Sequence, residues 1–98
     1  MNPQLGSEQA GYRHAVVVSN RRLNAVSDII LLCPITNSSR NYPSHVKLPD
    51  SMKTTGEIMC EQLKAVDISV RPYKHVENLP KDVLEEMLET IRYITEEV

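Results

Sequence analysis

The sequence predicts a small, mainly β domain: a partly open barrel of about five to seven short strands, closed by one C-terminal α-helix. Three observations carry this. Two apolar runs, at 15–19 and 29–35, are rich in Val and Ile and too short for helices, so they read as strands covered on both sides. Turn residues recur between apolar stretches. After Pro80 the apolar period changes from strand-like to helical. With 98 residues the chain makes a single domain, residues 1–98.

The elements follow in order. Residues 6–14 read as a polar loop feeding the first run, and residues 20–28 as a polar connection to the second. Pro43 punctuates the segment after the second run, because the residue before a proline avoids helix. His45-Val46-Lys47-Leu48 alternates polar and apolar, as a half-exposed strand does. Residues 49–56 form a turn-rich loop. Residues 57–60 and 62–66 give one or two strands interrupted near Glu61, and residues 71–76 a short last strand. Pro80 suits the first turn of a helix, where its missing N–H costs nothing. Val83, Leu84, Met87, Leu88, Ile91 and Ile94 then share one stripe that packs on the sheet, with Glu85, Glu86, Glu89 and Arg92 on the other faces.

Charge and cysteines narrow the class. The net charge is −2. Residues 81–98 hold two cations against six anions, and residues 1–80 nine cations against seven, so the body is mildly basic and the acidity sits in the helix. That balance admits a polyanionic ligand but argues against tight non-specific binding of duplex DNA, which needs many phosphate contacts. Cys33 and Cys60 lie in apolar or strand-like runs and read as buried free thiols of a reducing compartment. Met1-Asn2-Pro3-Gln4 lacks the basic start and apolar core of a signal peptide, and no apolar run is long enough to span a membrane. The expected location is the cytoplasm. His14, His45 and His75 are far apart in sequence, pair with no nucleophile, and read as structural or exposed; neither a metal site nor a cofactor is expected.

Two polar loops stand out. Gly6-Ser7-Glu8-Gln9-Ala10-Gly11-Tyr12-Arg13-His14 places a carboxylate, an amide and an arginine on a loop anchored by a buried strand. The run at 29–35 ends in Thr36-Asn37-Ser38-Ser39-Arg40, with hydroxyls and a cation. Side by side, such loops make an anion-binding cleft.

These motifs, together with Asn2-Pro3, Pro34-Ile35-Thr36, Tyr42-Pro43, residues 56–67 and the acidic-faced helix, resemble the MazF/PemK family of toxins from bacterial toxin–antitoxin pairs. The resemblance runs from Asn2 to about Ile94. It implies an SH3-like barrel of the CcdB/MazF type, usually a homodimer. It also implies a metal-independent endoribonuclease that cuts single-stranded messenger RNA at short sequences and is blocked by a cognate antitoxin. By resemblance Arg13 is the central catalytic residue, its guanidinium suited to two phosphate oxygens. Thr36 binds the scissile phosphate, and Glu61 acts as base or orders the 2′-hydroxyl. Glu8 and Gln9 shape the loop and contact RNA, with Asn37, Ser38, Arg40, Tyr42, Gln62 and Lys64 as further RNA contacts.

Plainer roles compete: Arg13 as a salt-bridge partner of Glu8, Thr36 as a cap for a loop amide, Glu61 as an edge charge against aggregation, and Lys64 and Arg40 as solvated cations. Two departures from the family pattern stand out. The resemblance implies a strand ahead of Asn2-Pro3, where this chain starts at Met1, and a proline where this chain has His14. The alternative they motivate is a truncated, non-catalytic relative that binds antitoxin or RNA without cutting. Gyrase inhibition, known for the related CcdB fold, requires a C-terminal tryptophan, and this chain has no Trp.

Overall fold

The computed structural model describes the backbone of residues 4–8 and residues 13–38 and 42–96 in full. Seven strands, two helices and a 3₁₀ turn follow one another as β1 (Gln4–Glu8), β2 (His14–Val17), α1 (Arg21–Val26), β3 (Ile29–Thr36), β4 (His45–Lys47), β5 (Glu57–Met59), the turn (Cys60–Gln62), β6 (Lys64–Asp67), β7 (Tyr73–Asn78) and α2 (Lys81–Thr95). The strands form an antiparallel sheet in the order β4-β5-β3-β2-β1-β7, with β6 also on β3. It is mainly β with a C-terminal helix, as expected, and the sheet is open rather than a closed barrel.

β3 is the spine. One edge pairs with β2 through Leu32–Pro34, and the other pairs first with β6, through Ile29–Leu32, and then with β5, through Ile35 and Thr36. The exchange of partner occurs where the 3₁₀ turn breaks the chain between β5 and β6, the interruption expected near Glu61.

From Leu32 to Ile35 β3 is covered on both faces, whereas Ile29 and Leu31 at its start are exposed on one of them. On one face Val16, Cys33, Ile35, Val46, Ile58 and Cys60 pack under Val83 and Met87 of α2. On the other, Ala15, Val17, Ile30, Leu32 and Val66 form a smaller cluster with Ile68 and Tyr73 beside it. Burying a side chain such as Ile30 or Met87 contributes about 1.5–3 kcal/mol. Burial pushes the Cys33 thiol up to about 12 and the Cys60 thiol to about 11, so both are protonated and unreactive.

Several expectations are corrected. Residues 20–28 contain α1, started by the Asn20 side chain accepting the Leu23 N–H at 3.1 Å. β2 ends at Val17, and Ser19 turns inward to accept the Leu31 N–H while donating to Asn24. The first strand is β1, inside what reads as loop, and it is held by pairing with β2 on one edge and β7 on the other. β7 starts at Tyr73 and runs on to Asn78. Pro80 caps α2 from just outside instead of entering its first turn, and Leu88 is half exposed while the rest of its stripe packs inward.

The β4–β5 loop is fastened to β7. The Glu77 carboxylate accepts from the Thr54 N–H and hydroxyl, both at 2.7 Å, and from the Lys53 N–H at 3.3 Å. The loop ends at Gly56 with φ of +126°. A Cβ there would lie 2.5 Å from the Thr36 carbonyl oxygen, so only glycine lets β5 start this close to the end of β3.

Candidate active site

The site is built around the C-terminal end of β3. Thr36 pairs with Glu57 of β5, and Glu57 with Lys47 of β4. On the other edge the β2–β3 register pairs Ala15 with Pro34. Thr36, Glu57 and Lys47 thus stand in one row across three strands, and residues directly opposite in antiparallel strands share a face; Arg13 lies beyond the last residues that β2 pairs with β3. Neighbours in such a row stand about 5 Å apart, close to the span of a phosphate group.

Thr36 turns its hydroxyl oxygen toward the next turn and accepts the Ser38 N–H at 3.1 Å. The plainer role expected for it is therefore real, yet the hydroxyl proton is still available to donate. Asn37 accepts from the Thr55 hydroxyl at 3.0 Å.

Two clefts flank Thr36. One, of about 240 Å³, is lined by Thr36, Ser38, Tyr42, His45, Met59, Glu61 and Gln62. The other, of about 270 Å³, is lined by residues that include Asn37, Lys47, Asp50, Thr55 and Glu57. The structure therefore brings Thr36, Ser38, Tyr42, Glu61 and Gln62 together, and places Asn37 on the far side of the threonine. Arg13 is exposed one residue ahead of β2. Lys64 pairs with Leu32 on β6, about 13 Å back along β3 by strand rise, and lines neither cleft. Gln9 and Arg40, and the side chain of Glu8, lie outside the described residues, as does the supposed Arg13–Glu8 ion pair.

Glu61 sits on the 3₁₀ turn, not in a strand, so it is not the edge-strand charge that was the alternative. Its carboxylate accepts from the Ser44 hydroxyl at 2.8 Å and meets His45 Nε2 at 3.1 Å. Burial pushes its pKa up, but the hydrogen bonds from Ser44, its own backbone amide and His45 outweigh burial and hold it below the usual range.

His45 is the residue that sequence reading missed. Its other nitrogen, Nδ1, meets Glu57 Oε1 at 2.9 Å, and Tyr42 stacks edge-on at 5.1 Å between ring centroids. Its side chain is 5% exposed. Among the described residues, no group of three or more His, Cys, Asp or Glu side chains could hold a metal ion.

An open antiparallel sheet closed by a C-terminal helix, with a polar cleft carrying Thr36, His45 and Glu61 at the end of its central strand, defines the class: a small mainly β domain with a polar cleft at one end of its sheet. Residues 1–95 match the family described as PemK-like, MazF-like toxin of type II toxin-antitoxin system, and the chain belongs to that family. Membership makes it a toxin of the endoribonuclease class. It is 29% identical to endoribonuclease PemK of Escherichia coli over 92 residues, covering 90% of this chain and 69% of the relative. It is 37% identical to endoribonuclease toxin MazF of Escherichia coli K12 over 65 residues, which are 66% of this chain and 58% of that one. A MazE–MazF crystal structure from Deinococcus radiodurans superposes with a TM-score of 0.87 at 26% identity, covering 93% of this chain and 90% of that one.

Proposed function

We propose that this toxin cleaves single-stranded RNA, messenger RNA above all, at short sequences and without a metal. The nucleophile is the 2′-hydroxyl next to the scissile phosphate. Its oxygen bonds to phosphorus, its proton passes to a base, and the 5′-oxygen leaves and takes up a proton, so a cyclic phosphate remains. Arg13 holds two phosphate oxygens and offsets the charge that grows on them, because a guanidinium is a strong paired donor and a poor acid or base. Thr36 donates its hydroxyl proton to the same phosphate. A donor aimed at a developing oxyanion contributes about 3–4 kcal/mol. Glu61, ionised and reachable in the cleft, orders the 2′-hydroxyl and takes its proton. Glu8, Gln9, Asn37, Ser38, Arg40, Tyr42, Gln62 and Lys64 are proposed to contact the chain or the unstacked bases, on which single-strand reading depends.

The observation that supports this reading best is the cleft that brings Thr36 and Glu61 together at the end of β3, with Arg13 one residue ahead of the β2 strand that pairs there. The antitoxin partner is proposed from the related MazE–MazF complexes, and a homodimer in the cytoplasm from the family resemblance. Among the described residues no helix is long and apolar enough to cross a membrane.

The test is a long single-stranded RNA incubated with purified protein in EDTA, with Arg13→Ala alongside. The parent is expected to cut at a recurring short sequence. The variant is expected to fold normally and to lose at least about a hundredfold in rate, the scale of a lost oxyanion donor. A variant that cuts as well as the parent sinks the assignment.

A further inference from the structure

His45 makes contacts that a neutral imidazole cannot satisfy. Both of its nitrogens face carboxylate oxygens, Nδ1 at 2.9 Å from Glu57 and Nε2 at 3.1 Å from Glu61. A neutral ring has one N–H and one lone pair, whereas the charged ring has two donors. With both glutamates ionised, a neutral ring would leave one lone pair against a carboxylate. The arrangement therefore suits an imidazolium between two carboxylates.

The exposures divide the work. The His45 side chain is 5% exposed and Glu57 12%, while Glu61 is 35% exposed at the cleft. Both residues line the cleft, and Glu61 presents far more of its side chain to it than the ring does. Glu61 already accepts from Ser44 and from His45, and its oxygens keep lone pairs for a 2′-hydroxyl. The contact at Nε2 gives His45 a route to act on RNA through Glu61. No bond from a hydroxyl alone would fix both the position and the charge of that carboxylate.

Resting on the endoribonuclease reading, we propose that His45 is a positioning residue for RNA cleavage: clamped between Glu57 and Glu61, it fixes the Glu61 carboxylate in the cleft and ties that carboxylate to the protonation of the ring.

The groups that face the ring agree with this. Glu57 comes from β5 and Glu61 from the 3₁₀ turn, while Tyr42 meets the ring edge-on from the segment before β4. Lys47, two residues along β4, pairs with Glu57 across the sheet. Burial of the ring lowers its pKa, but the hydrogen bonds it makes to Glu57 and Glu61, and their charges, outweigh burial, and the balance lies above the ordinary 6.5. When the ring loses its proton, the cluster of one imidazolium and two carboxylates goes from one net negative charge to two. One of the two carboxylates then faces a ring lone pair instead of a donor, and the approaching phosphate meets a more negative cleft. A basic limb in the rate profile that disappears with the ring is the signature expected of His45.

The test combines a pH–rate profile with a ring titration. Cleavage of single-stranded RNA by the parent and by His45→Gln is followed across the neutral and basic range. Glutamine keeps a donor of similar reach toward Glu61 but does not titrate. The expected result is a basic limb in the parent and its disappearance in the variant. The variant's rate should fall by about tenfold to a hundredfold, the effect typical of a group that orients an active side chain. The His45 ring is titrated by NMR in the parent and in Glu61→Gln, a readout that needs no cleavage. Its pKa is expected above 6.5 in the parent and lower in Glu61→Gln. A basic limb that survives in a folded His45→Gln, or a ring pKa insensitive to Glu61→Gln, overturns the proposal alone. A parent that cuts no RNA overturns the endoribonuclease reading and this role with it.

Discussion

Two carboxylates in this molecule have similar hydrogen-bond counts and opposite meanings. Glu77 on β7 accepts from two backbone amides and the Thr54 hydroxyl. Glu61 on the 3₁₀ turn accepts from the Ser44 hydroxyl and contacts the His45 ring. Both are held below the usual carboxylate range, Glu77 by the Thr54 hydroxyl first and its amide neighbours after, Glu61 by donors that outweigh its burial. Amides do not titrate, so Glu77 is a fastener whose state is constant near neutral pH. A ring does titrate, so Glu61 has a neighbour that changes with conditions. The identity of the donors, not their number, separates a fold-holding carboxylate from one suited to chemistry.

Exchanging each for its amide should split the two apart. Glu61→Gln is expected to lower RNA cleavage by about a hundredfold or more, the usual worth of a positioned proton acceptor, with little change in melting temperature. Glu77→Gln should do the reverse. Loss of the charge-assisted bonds costs about 1–2 kcal/mol, which for a domain of this size lowers Tm by about 4–8 °C for each kcal/mol. Cleavage well below that temperature should be retained. Because the Glu77 pKa is depressed on folding, its contribution is present above the unfolded value of 4.5 and is lost as pH falls through the folded one. The stability gap between parent and Glu77→Gln should therefore close in acid, a result thermal melts at several pH values would reveal.

Gly56→Ala sharpens the comparison by striking both regions at once. Its Cβ would press on the Thr36 carbonyl from a backbone conformation that alanine rarely adopts. The expected cost is about 2 kcal/mol in stability, with cleavage reduced at temperatures where the variant is still folded. Unchanged cleavage in a folded Gly56→Ala would show that Thr36 tolerates displacement.

The smallest effect concerns His45 and stability. A pKa raised on folding stabilises the protein fully below the unfolded value of 6.5, and that stabilisation is lost as pH rises through the folded value. The parent should melt at a lower temperature as pH climbs above 6.5, and His45→Gln should show a flatter dependence.

Much of this was legible in the residues. The run at 29–35 announces β3 because most of it is buried, on both faces from Leu32 to Ile35, and the stripe from Val83 to Ile94 announces α2 because one face packs on the sheet. β1 was not legible, since Gln4, Gly6 and Ser7 have weak strand preference and the strand exists by pairing with two neighbours. α1 was missed because Leu23 and Val26 form no buried stripe, although Asn20 was a visible cap. Within the site, Thr36 and Glu61 carried their own signals. His45 did not, because its partners are 12 and 16 residues away and only the β4–β5 hairpin folds them onto it. Its place at the start of an alternating strand, just after Tyr42-Pro43, was the one clue available.

The tight approach at Gly56 also bears on heredity. A toxin gene is under pressure to be silenced whenever its antitoxin fails. Any change in the first or second base of a glycine codon replaces the residue or ends the chain, and every replacement adds a Cβ against Thr36. Cells that outlive unrestrained expression of this protein should therefore carry lesions at Gly56 as readily as at Arg13.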